Sequence, residues 1–319
     1  MAVNDPIFIV GAPRSGTTLL QYMLRSHPNI GIPTGESHFF IPLLKNEDKY
    51  GDLSRLDNVK KVLQVMYKQS QDFLDTDLHG IKFEIGSIAE KIVDSGINSM
   101  EGIIASIFTY NAEGEGKKRW GDKTPYYVLH MPFIKSFFPD AQFIHIIRDG
   151  RDCALSMIER QKDFGIINMY HAAKYWQQYV ETGKMDGENL GKDHYLEIRY
   201  EELLDCPEKS LRTICDFLGE PYSETLINFK KSSERGKTPL LQSPIQKKNK
   251  NKWKTKMSNQ EIKIFEGAAG NTLKKYGYDL ENPDYIMSWL IRVYNRVLIT
   301  LPFMKIKLKN KLQNFLGNE

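Results

Sequence analysis

Apolar positions along this chain fall into two kinds of pattern, short apolar-rich runs and longer stretches with helical spacing. Runs at residues 7–10, 141–147 and 195–200 predict strands. Helical spacing predicts helices over residues 56–73, 88–92, 103–110, 127–137, 154–160, 166–180, 201–204, 211–218 and 258–276. Because strands alternate with helices, we predict an α/β fold in three layers, with a central parallel sheet flanked by helices.

The same pattern predicts a main domain over residues 1–284 and a separate tail over residues 285–319. Within the domain, residues 45–116 form a helical insertion. Apolar residues of the tail follow helical spacing at positions 286, 289, 290, 293, 294, 297, 298 and 301, which predicts an amphipathic C-terminal helix. Two interpretations stay open: the tail lies on an anionic membrane surface, or it docks on the domain.

Charge and composition narrow the classes of protein that remain. The 319 residues carry a formal net charge of +4, with 26% charged and 41% hydrophobic residues. These values are ordinary for a soluble globular protein and argue against a dedicated nucleic-acid binder. Cys153, Cys206 and Cys215 fit neither a disulfide framework nor a metal site, so we expect buried thiols and no metal.

We expect a cytoplasmic protein. The first strand begins almost at the N-terminus, so no signal peptide is predicted in front of it. The sequence contains no run of about 18 apolar residues, so no membrane-spanning helix is predicted. Any membrane contact is therefore expected to be peripheral, through the tail. The oligomeric state stays open, a homodimer included.

The loop between the first strand and the first helix carries the clearest chemical pattern. Residues 6–20 read PIFIVGAPRSGTTLL, with Gly16 five positions after Gly11. Such a loop directs backbone N–H groups and the positive end of a helix dipole at one place, which suits a phosphate. The glycine spacing matches a nucleotide-triphosphate loop, but Thr17 stands where that loop has lysine, and the cation is Arg14 instead. We therefore predict a P-loop-like fold.

Polar residues follow each of the three predicted strands. Arg14, Arg148 and Tyr200 lie at or just beyond the carboxyl ends of these strands. Ligands of parallel α/β sheets bind at that edge. We therefore predict that the three side chains converge on one ligand.

Three segments together resemble the sulfotransferases that use 3′-phosphoadenosine 5′-phosphosulfate (PAPS). They read PIFIVGAPRSGTTLLQYMLRSHPNI, FIHIIRDGRDCALSM and LEIRYEELLDCPEKSLRTICDFL. The segments GESHFF and GDKTP resemble most closely the Golgi-type branch, which includes tyrosylprotein and glycan sulfotransferases. The resemblance implies PAPS as donor, 3′-phosphoadenosine 5′-phosphate (PAP) as product and a transfer that requires no metal.

The resemblance also implies which residues bind the donor. The 5′-phosphosulfate would be held by Arg14, Ser15, Gly16, Thr17 and Thr18. Arg148 and Ser156 match the 3′-phosphate site, where a strand-end arginine and a first-turn serine can bind phosphate through charge-assisted hydrogen bonds.

Two further residues match nucleotide contacts of the family. Arg160 lies one helical turn beyond Ser156, on the same helical face, and matches a contact of the tyrosylprotein branch. Tyr200 matches the residue that lies beside the adenine. The alternative for this region is a solvated salt-bridge cluster of Arg148 with Asp149, Arg151 and Asp152.

Glu36 is the predicted catalytic base, because a carboxylate can take the proton of an attacking acceptor hydroxyl. Apolar and aromatic neighbours are expected to desolvate Glu36 and raise its pKa. His38 is the rival base, and we interpret it instead as a packed core histidine. By resemblance, Lys123 stabilises the transition state near the transferred sulfuryl group, since a positioned cation there is often a large catalytic contribution.

Residues 243–254 resemble the loop that closes over the nucleotide in the tyrosylprotein branch. Lys252 and Trp253 match the pair that ends that loop, and Lys252 is a predicted donor contact. Ser243 matches the serine that precedes the loop, which makes it a further candidate catalytic residue. The other lysines of this stretch are expected to form a solvated face.

The sequence thus predicts an enzyme that moves a sulfuryl group from PAPS to an acceptor hydroxyl by in-line transfer with a glutamate base. Its acceptor is a carbohydrate, a small alcohol or a tyrosine, with a glycan or small molecule favoured and the insertion at residues 45–116 on the acceptor side. Two alternatives stay open. A phosphoryl-transferring kinase is disfavoured by the missing loop lysine, and a non-catalytic nucleotide-binding or membrane-associated scaffold by the presence of Glu36 and Lys123.

Overall fold

The computed structural model describes residues 5–69, 81, 83–160, 164–229 and 248–300. The chain forms two compact units, one of residues 1–148 and 182–247, the other of residues 149–181 and 248–319. The expected division into a domain over residues 1–284 and a tail over residues 285–319 stays a prediction.

The first unit contains a five-stranded parallel sheet. Its strands are β1 (Ile7–Gly11), β2 (Ile30–Gly31), β3 (Arg119–Lys123), β4 (Gln142–Ile147) and β5 (Tyr195–Arg199). They lie in the order β2–β3–β1–β4–β5, and every neighbouring pair is parallel. The α/β fold and the three strands expected from the sequence are therefore confirmed. Strand order reverses at β1, which has β3 on one side and β4 on the other, so the loop after β1 lies where such sheets bind ligands.

Strand β3 was not predicted, because its sequence RWGDK contains charged residues and a glycine rather than an apolar run. All five residues are nevertheless buried. The Arg119 guanidinium donates to the carbonyl oxygens of Asp5 at 2.6 Å and Leu218 at 2.7 Å. Hydrogen bonds of this kind are what allow a charged side chain to lie inside a sheet.

The α-helices lie in the predicted segments, but the helix expected over 166–180 extends to Leu190, and the short helices Phe40–Leu44 and Trp253–Lys256 were not predicted. In chain order they are α1 (Thr17–Arg25), α2 (Phe40–Leu44), α3 (Leu56–Gln69), α4 (Ile85–Asp94), α5 (Met100–Gly114), α6 (Met131–Phe137), α7 (Gly150–Ile158), α8 (Met169–Leu190), α9 (Tyr200–Asp205), α10 (Pro207–Leu218), α11 (Trp253–Lys256), α12 (Asn259–Lys275) and α13 (residues 289–300). Short 3₁₀ helices span Glu47–Tyr50, Pro125–His130 and Glu224–Leu226. The expected insertion at residues 45–116 holds α3, α4 and α5, and the predicted helix over 56–73 extends beyond the described residues.

The core of the first unit lies against β1, β4 and β5. Residues Ile7 to Val10 are fully buried. Ile7 and Ile9 pack with Ile144, Ile146 and the apolar faces of α1, α9 and α10, whereas Phe8 packs against the rings of Phe40 and Phe143. Each fully buried aliphatic side chain contributes roughly 1.5–3 kcal/mol relative to exposure. This packing fixes the strand ends from which the candidate site is built.

The second unit is organised around a buried arginine. Arg151 is 2% exposed and pairs with Asp149 and Glu266, each at 2.8 Å. Its guanidinium lies 3.6 Å from the ring centroid of Trp253, whose backbone N–H donates to Asp152 at 3.0 Å. The solvated salt-bridge cluster considered as an alternative is therefore wrong, because these charged side chains are buried.

Two local expectations can be compared directly with the structure. Helix α12 begins at the N-cap Ser258, whose side chain forms the capping box with Glu261 that its sequence predicts. Cys153 and Cys215 are buried as expected, whereas Cys206 is exposed, because it lies between α9 and α10 rather than on their packed faces.

In the part of the chain that the structure describes, no helix is long and apolar enough to span a membrane.

Candidate functional site

The loop after β1 is built to approach a ligand closely with its backbone. Gly11 has φ 155° and Gly16 has φ 106°, and Arg14 between them has φ 70°, all in conformations that side chains disfavour. A Cβ on Gly11 would lie 2.6 Å from the Ile146 carbonyl oxygen. A Cβ on Gly16 would lie 2.3 Å from the ring of Tyr200. The two glycines are therefore required by space as well as by backbone conformation.

The loop also offers donors for an anion. Helix α1 begins at Thr17 with Gly16 as N-cap, and this glycine has no side chain that could cap the helix. The first backbone N–H groups of a helix lack intrahelical partners and carry a partial positive charge. Ser15 is fully buried, and within the described part of the chain its hydroxyl has no hydrogen-bond partner. These donors fit a phosphate or phosphosulfate group at the position that the sequence predicts.

Arg14, Arg148 and Tyr200 meet at the carboxyl ends of β1, β4 and β5. The Arg148 guanidinium donates to the Arg14 carbonyl oxygen at 3.1 Å. The same guanidinium lies 4.6 Å from the centroid of the Tyr200 ring, which in turn packs against Gly16. Arg148 and Tyr200 are 7% and 3% exposed. The structure thus brings the three predicted strand-end residues together around one loop.

Ser156 and Arg160 belong to the second unit. Ser156 lies half-buried on α7, the helix that begins two residues after Arg148. That helix ends at Ile158, and Arg160 lies in the exposed turn that follows it. The backbone N–H of Arg160 still donates to the Met157 carbonyl oxygen at 3.1 Å, and the expected shared face of Ser156 and Arg160 stays a prediction. Their roles in nucleotide binding stay predictions.

Lys252 also lies in the second unit and is the half-buried N-cap residue of α11. The adjacent Trp253 is 2% exposed and packs on Arg151. This end of the expected nucleotide loop is therefore buried within the second unit. Ser243 lies outside the described residues, so its candidate role stays a prediction.

Glu36 and Lys123 form a direct ion pair one strand away from the phosphate-type loop. Lys123 is the last residue of β3, opposite Ile9 of β1, and is 3% exposed. Its ammonium donates to Glu36 Oε1 at 2.6 Å. The side chain of Glu36, from the loop before α2, is 37% exposed. The structure therefore joins the predicted base and the predicted transition-state cation in one pair with an open side.

The pKa of Glu36 is lowered, not raised as the sequence suggested. Burial alone would raise it, but the Lys123 ammonium and the hydrogen bonds from His38 and Lys123 outweigh burial and bring the pKa to about 2. Apolar neighbours could be read from the sequence, whereas the partner cation comes from a strand 87 residues away. Without a ligand, Glu36 is therefore a carboxylate of low basicity.

His38 is not a core residue. Its side chain is 52% exposed, and its Nε2 lies 3.0 Å from Glu36 Oε2. The backbone of His38 has φ 47°, which turns the chain between Glu36 and α2. The interpretation of His38 as a packed core histidine is wrong, and the side chain instead contacts the second oxygen of the candidate base.

A hydroxyl network that the sequence did not reveal anchors the Glu36 loop to β3. The backbone N–H of Ser37 donates to Thr124 Oγ1 at 3.0 Å, and Ser37 Oγ lies 2.8 Å from the hydroxyl of Tyr127. The backbone N–H of Phe40 donates to the same tyrosine hydroxyl at 3.1 Å. Tyr127 is fully buried. Thr124, directly after β3, and Tyr127, within the 3₁₀ helix that follows, thereby fix the loop at Ser37 and Phe40, just after Glu36.

Asp122 is a further functional candidate that sequence reasoning missed. It precedes Lys123, is 1% exposed and carries a carboxyl whose pKa is raised by burial to about 6, against the opposing effects of Thr124, Ser37 and Lys123. Perturbed carboxyl groups of this kind concentrate at functional sites. The polar motif GDKTP was the available signal. In the described parts of the chain, no group of three or more His, Cys, Asp or Glu residues is arranged to hold a metal ion.

The chain matches a known protein family over most of its length. The model of the sulfotransferase family matches residues 6–224. This range contains the phosphate-type loop, the Glu36–Lys123 pair and the Arg148–Tyr200 contact. The chain belongs to the sulfotransferase family.

Curated relatives are protein-tyrosine sulfotransferases. The enzyme of Drosophila melanogaster is 26% identical over 227 residues, which cover 70% of this chain and 39% of the relative. Protein-tyrosine sulfotransferase 2 of Gallus gallus is 27% identical over 225 residues, covering 70% of this chain and 53% of the relative. The chain thus spans about half the length of these relatives or less. The resemblance to the tyrosylprotein branch is confirmed.

A solved structure shares the fold. The sulfotransferase domain of the Synechococcus PCC 7002 olefin synthase superposes with a TM-score of 0.56 at 24% sequence identity. The match covers 87% of this chain and 96% of that domain. It supports the same arrangement of parallel sheet and helices. None of these comparisons supports the expected cytoplasmic location, which stays a prediction.

Proposed function

We propose that this chain is a PAPS-dependent sulfotransferase that moves a sulfuryl group to an acceptor hydroxyl. The observation that carries the proposal is the Glu36–Lys123 ion pair, which lies at the end of β3, next to the strand that leads into the phosphate-type loop. Transfer of a sulfuryl group from one oxygen to another requires a base for the acceptor proton and a cation for the developing charge, both beside the site that binds the anionic donor. Family membership and the protein-tyrosine sulfotransferase relatives support the same reaction.

The loop and the strand ends would hold the donor. Ser15, Gly16 and the first turn of α1 provide donors for the 5′-phosphosulfate, with Arg14 as the loop cation. By resemblance we assign Arg148 to the 3′-phosphate and Tyr200 to the adenine. Ser156, Arg160 and Lys252 stay candidate contacts on the same ground. PAPS would supply the activated sulfuryl group, and every other part of the reaction is assigned to side chains of this chain.

Glu36 and Lys123 would perform the transfer by exchanging partners. When an anionic sulfuryl oxygen competes for the Lys123 ammonium, the ion pair with Glu36 weakens and the pKa of Glu36 rises from about 2 towards its ordinary value of 4.5. Glu36 then accepts the acceptor's hydroxyl proton as the new oxygen–sulfur bond forms. The sulfur–oxygen bond to the 5′-phosphate breaks in line, and its electron pair leaves with PAP while Lys123 stabilises the charge.

The low basicity of Glu36 favours a phenolic acceptor. A tyrosine hydroxyl ionises near pH 10, far below an aliphatic alcohol, so a weak base can assist its attack more readily. The protein-tyrosine sulfotransferase relatives point to the same acceptor class. Transfer from labelled PAPS to a tyrosine peptide and to its serine counterpart tests this preference. Faster transfer to serine than to tyrosine would overturn the acceptor assignment and leave the reaction class intact.

Titration calorimetry tests the donor. We expect PAP to bind at least ten times more tightly than adenosine 5′-phosphate, because Arg148 is assigned to the 3′-phosphate. Replacement Arg148→Ala should remove most of that difference. Tighter binding of ATP than of PAP, or indifference to the 3′-phosphate, would contradict the proposal and favour the kinase alternative.

A further inference from the structure

Helix α13 presents a continuous apolar face to solvent. The face consists of five large side chains at helical spacing: Trp289, Leu290, Val293, Tyr294 and Val297. Trp289 is 69% exposed, Leu290 61% and Tyr294 64%. Soluble proteins rarely leave a contiguous apolar surface of this kind open unless it binds something.

The opposite side of α13 provides the contact with the rest of its unit. Asn295 is 8% exposed, accepts a hydrogen bond from the Asn168 side chain at 3.0 Å and donates to the Ile291 carbonyl at 2.8 Å. Met287, just before the helix, is 2% exposed. Among the helix residues 289–300, Asn295 is thus the buried one, and the exposed apolar face lies on the opposite side of the helix.

Basic side chains border the apolar face. Arg292 and Arg296 lie one helical turn apart, beside the row formed by Trp289, Val293 and Val297. Together with Lys174 and Lys274, the two arginines line a groove of about 400 Å³. The Glu266 carboxylate in this groove is already bound by Arg151 and by the backbone N–H groups of residues 281 and 282. The groove therefore offers net positive charge to an anion.

We propose that the apolar face of α13 and its basic groove form a docking surface for a bilayer that contains anionic lipids. The apolar side chains would enter the interfacial region, where tryptophan and tyrosine are favoured. Arg292 and Arg296 would lie against lipid phosphates, where basic side chains are attracted to an anionic surface. The four lysines at positions 305, 307, 309 and 311 add positive charge in the sequence that follows.

A second copy of the chain is a poorer occupant of this surface. Pairing of the same face in two copies would bring Arg292 and Arg296 against their own equivalents, and like charges at short range repel. Between positions 285 and 319 the only acidic residue is Glu319, so the tail contains little to offset that repulsion. An anionic bilayer satisfies both the apolar face and the arginines.

Vesicle co-sedimentation of the full chain tests the proposal. We expect binding to phosphatidylcholine vesicles with about 30% phosphatidylserine to be at least tenfold tighter than to phosphatidylcholine alone, and to weaken as salt rises. The double variant Trp289→Ser/Leu290→Ser should lower the partition coefficient at least tenfold. Arg292→Glu/Arg296→Glu should remove most of the preference for anionic vesicles.

Two control variants show whether a loss of vesicle binding is specific to α13. Met185→Ser removes a side chain that is 59% exposed on α8, and Lys192→Glu/Lys209→Glu reverses two exposed charges; both should leave partitioning unchanged. Equal partitioning of wild type and both α13 variants overturns the proposal. So does a concentration-dependent dimer in analytical ultracentrifugation that Trp289→Ser abolishes, since a second copy would then cover the face. The proposal is independent of the catalytic assignment, and PAP binding in solution should be unaffected by the α13 variants.

Discussion

The Lys123 ammonium lies 2.6 Å from the Glu36 carboxylate, although the two residues are 87 positions apart in the chain. Strand β3 fixes the lysine and the hydroxyl network of Ser37, Thr124 and Tyr127 fixes the loop that carries the glutamate. The ion pair therefore depends on strand β3 and on the loop that carries Glu36, and substitutions in each can test it.

Replacement of Glu36 by Gln should lower turnover and should change how the free energy of unfolding depends on pH. The folded-state pKa of about 2 lies below the ordinary value of 4.5, so the ion pair stabilises the fold above about pH 4.5 and is lost as pH falls towards 2. Because the glutamate is 37% exposed, solvent screening limits the effect to about 1 kcal/mol. Urea unfolding should show this loss at pH 7 and a smaller one at pH 3.

The same variant should reduce kcat by roughly 10²–10⁴-fold, the range for loss of a general base. PAP affinity should change little, because the glutamate is assigned to the acceptor. A Glu36→Gln protein that turns over at the wild-type rate would remove Glu36 as the base. A stability difference that is the same at pH 7 and pH 3 would show that the ion pair is not its origin.

Replacement of Asp122 by Asn should stabilise the protein above neutral pH. Burial raises the pKa of this carboxyl to about 6 from 3.8, so its ionisation costs stability as pH rises through 6, and the cost is absent below about 3.8. We expect a gain of roughly 1–3 kcal/mol at pH 8 that decreases by pH 5. Asp193→Asn, at an exposed position, should change little. Destabilisation by Asp122→Asn at pH 8 would contradict this account.

Replacement of Tyr127 by Phe should loosen the Glu36 loop. The change removes the hydroxyl that contacts Ser37 and accepts from the Phe40 N–H, and an unsatisfied buried N–H costs about 1–3 kcal/mol. We expect that loss in urea unfolding, together with a fall in kcat of about tenfold, because Glu36 would be less well positioned. The neighbouring Tyr126, 38% exposed, supplies the control: Tyr126→Phe should leave stability and kcat nearly unchanged. Equal effects of the two variants would argue against the network.

Replacement of Gly16 by Ala should damage the phosphate-type loop. The new Cβ would lie 2.3 Å from the Tyr200 ring, in a backbone conformation with φ 106°. We expect a loss of stability of about 2 kcal/mol or more and at least tenfold weaker PAP binding by calorimetry. Gly114→Ala provides the opposite case, since nothing lies within 4 Å of its Cβ and alanine is the better helix former. If Gly16→Ala binds PAP as tightly as wild type, the loop does not hold the 5′-phosphate group.

Much of the fold could be predicted because β1, β4 and β5 contain apolar-rich runs and the helices follow clear periodicity. Strand β3 could not, because burial of Arg119, Asp122 and Lys123 depends on partners that only the folded chain supplies. The glycine frame of the phosphate-type loop could be predicted from local spacing, which the sequence contains directly, whereas the roles of residues 14–18 rest on the family resemblance.

Contacts between distant segments account for the errors at the site. Burial has the largest single effect on the pKa of Glu36 and raises it, but the Lys123 ammonium and the hydrogen bonds from His38 and Lys123 together outweigh burial and lower the pKa. Periodicity marked the apolar stripe of α13 but did not show which side would dock, since the buried residue of the helix is the polar Asn295. The end of α7 before Arg160 likewise could not be placed from periodicity.

Transfer of label from [³⁵S]PAPS to a tyrosine peptide tests the central claim most directly. Wild-type protein should produce a sulfated hydroxyl and PAP in equal amounts, and Lys123→Met should lose roughly 10²-fold or more in kcat while still binding PAP. Binding of PAP without transfer to tyrosine, serine or carbohydrate hydroxyls, or undiminished transfer by Lys123→Met, would contradict the account.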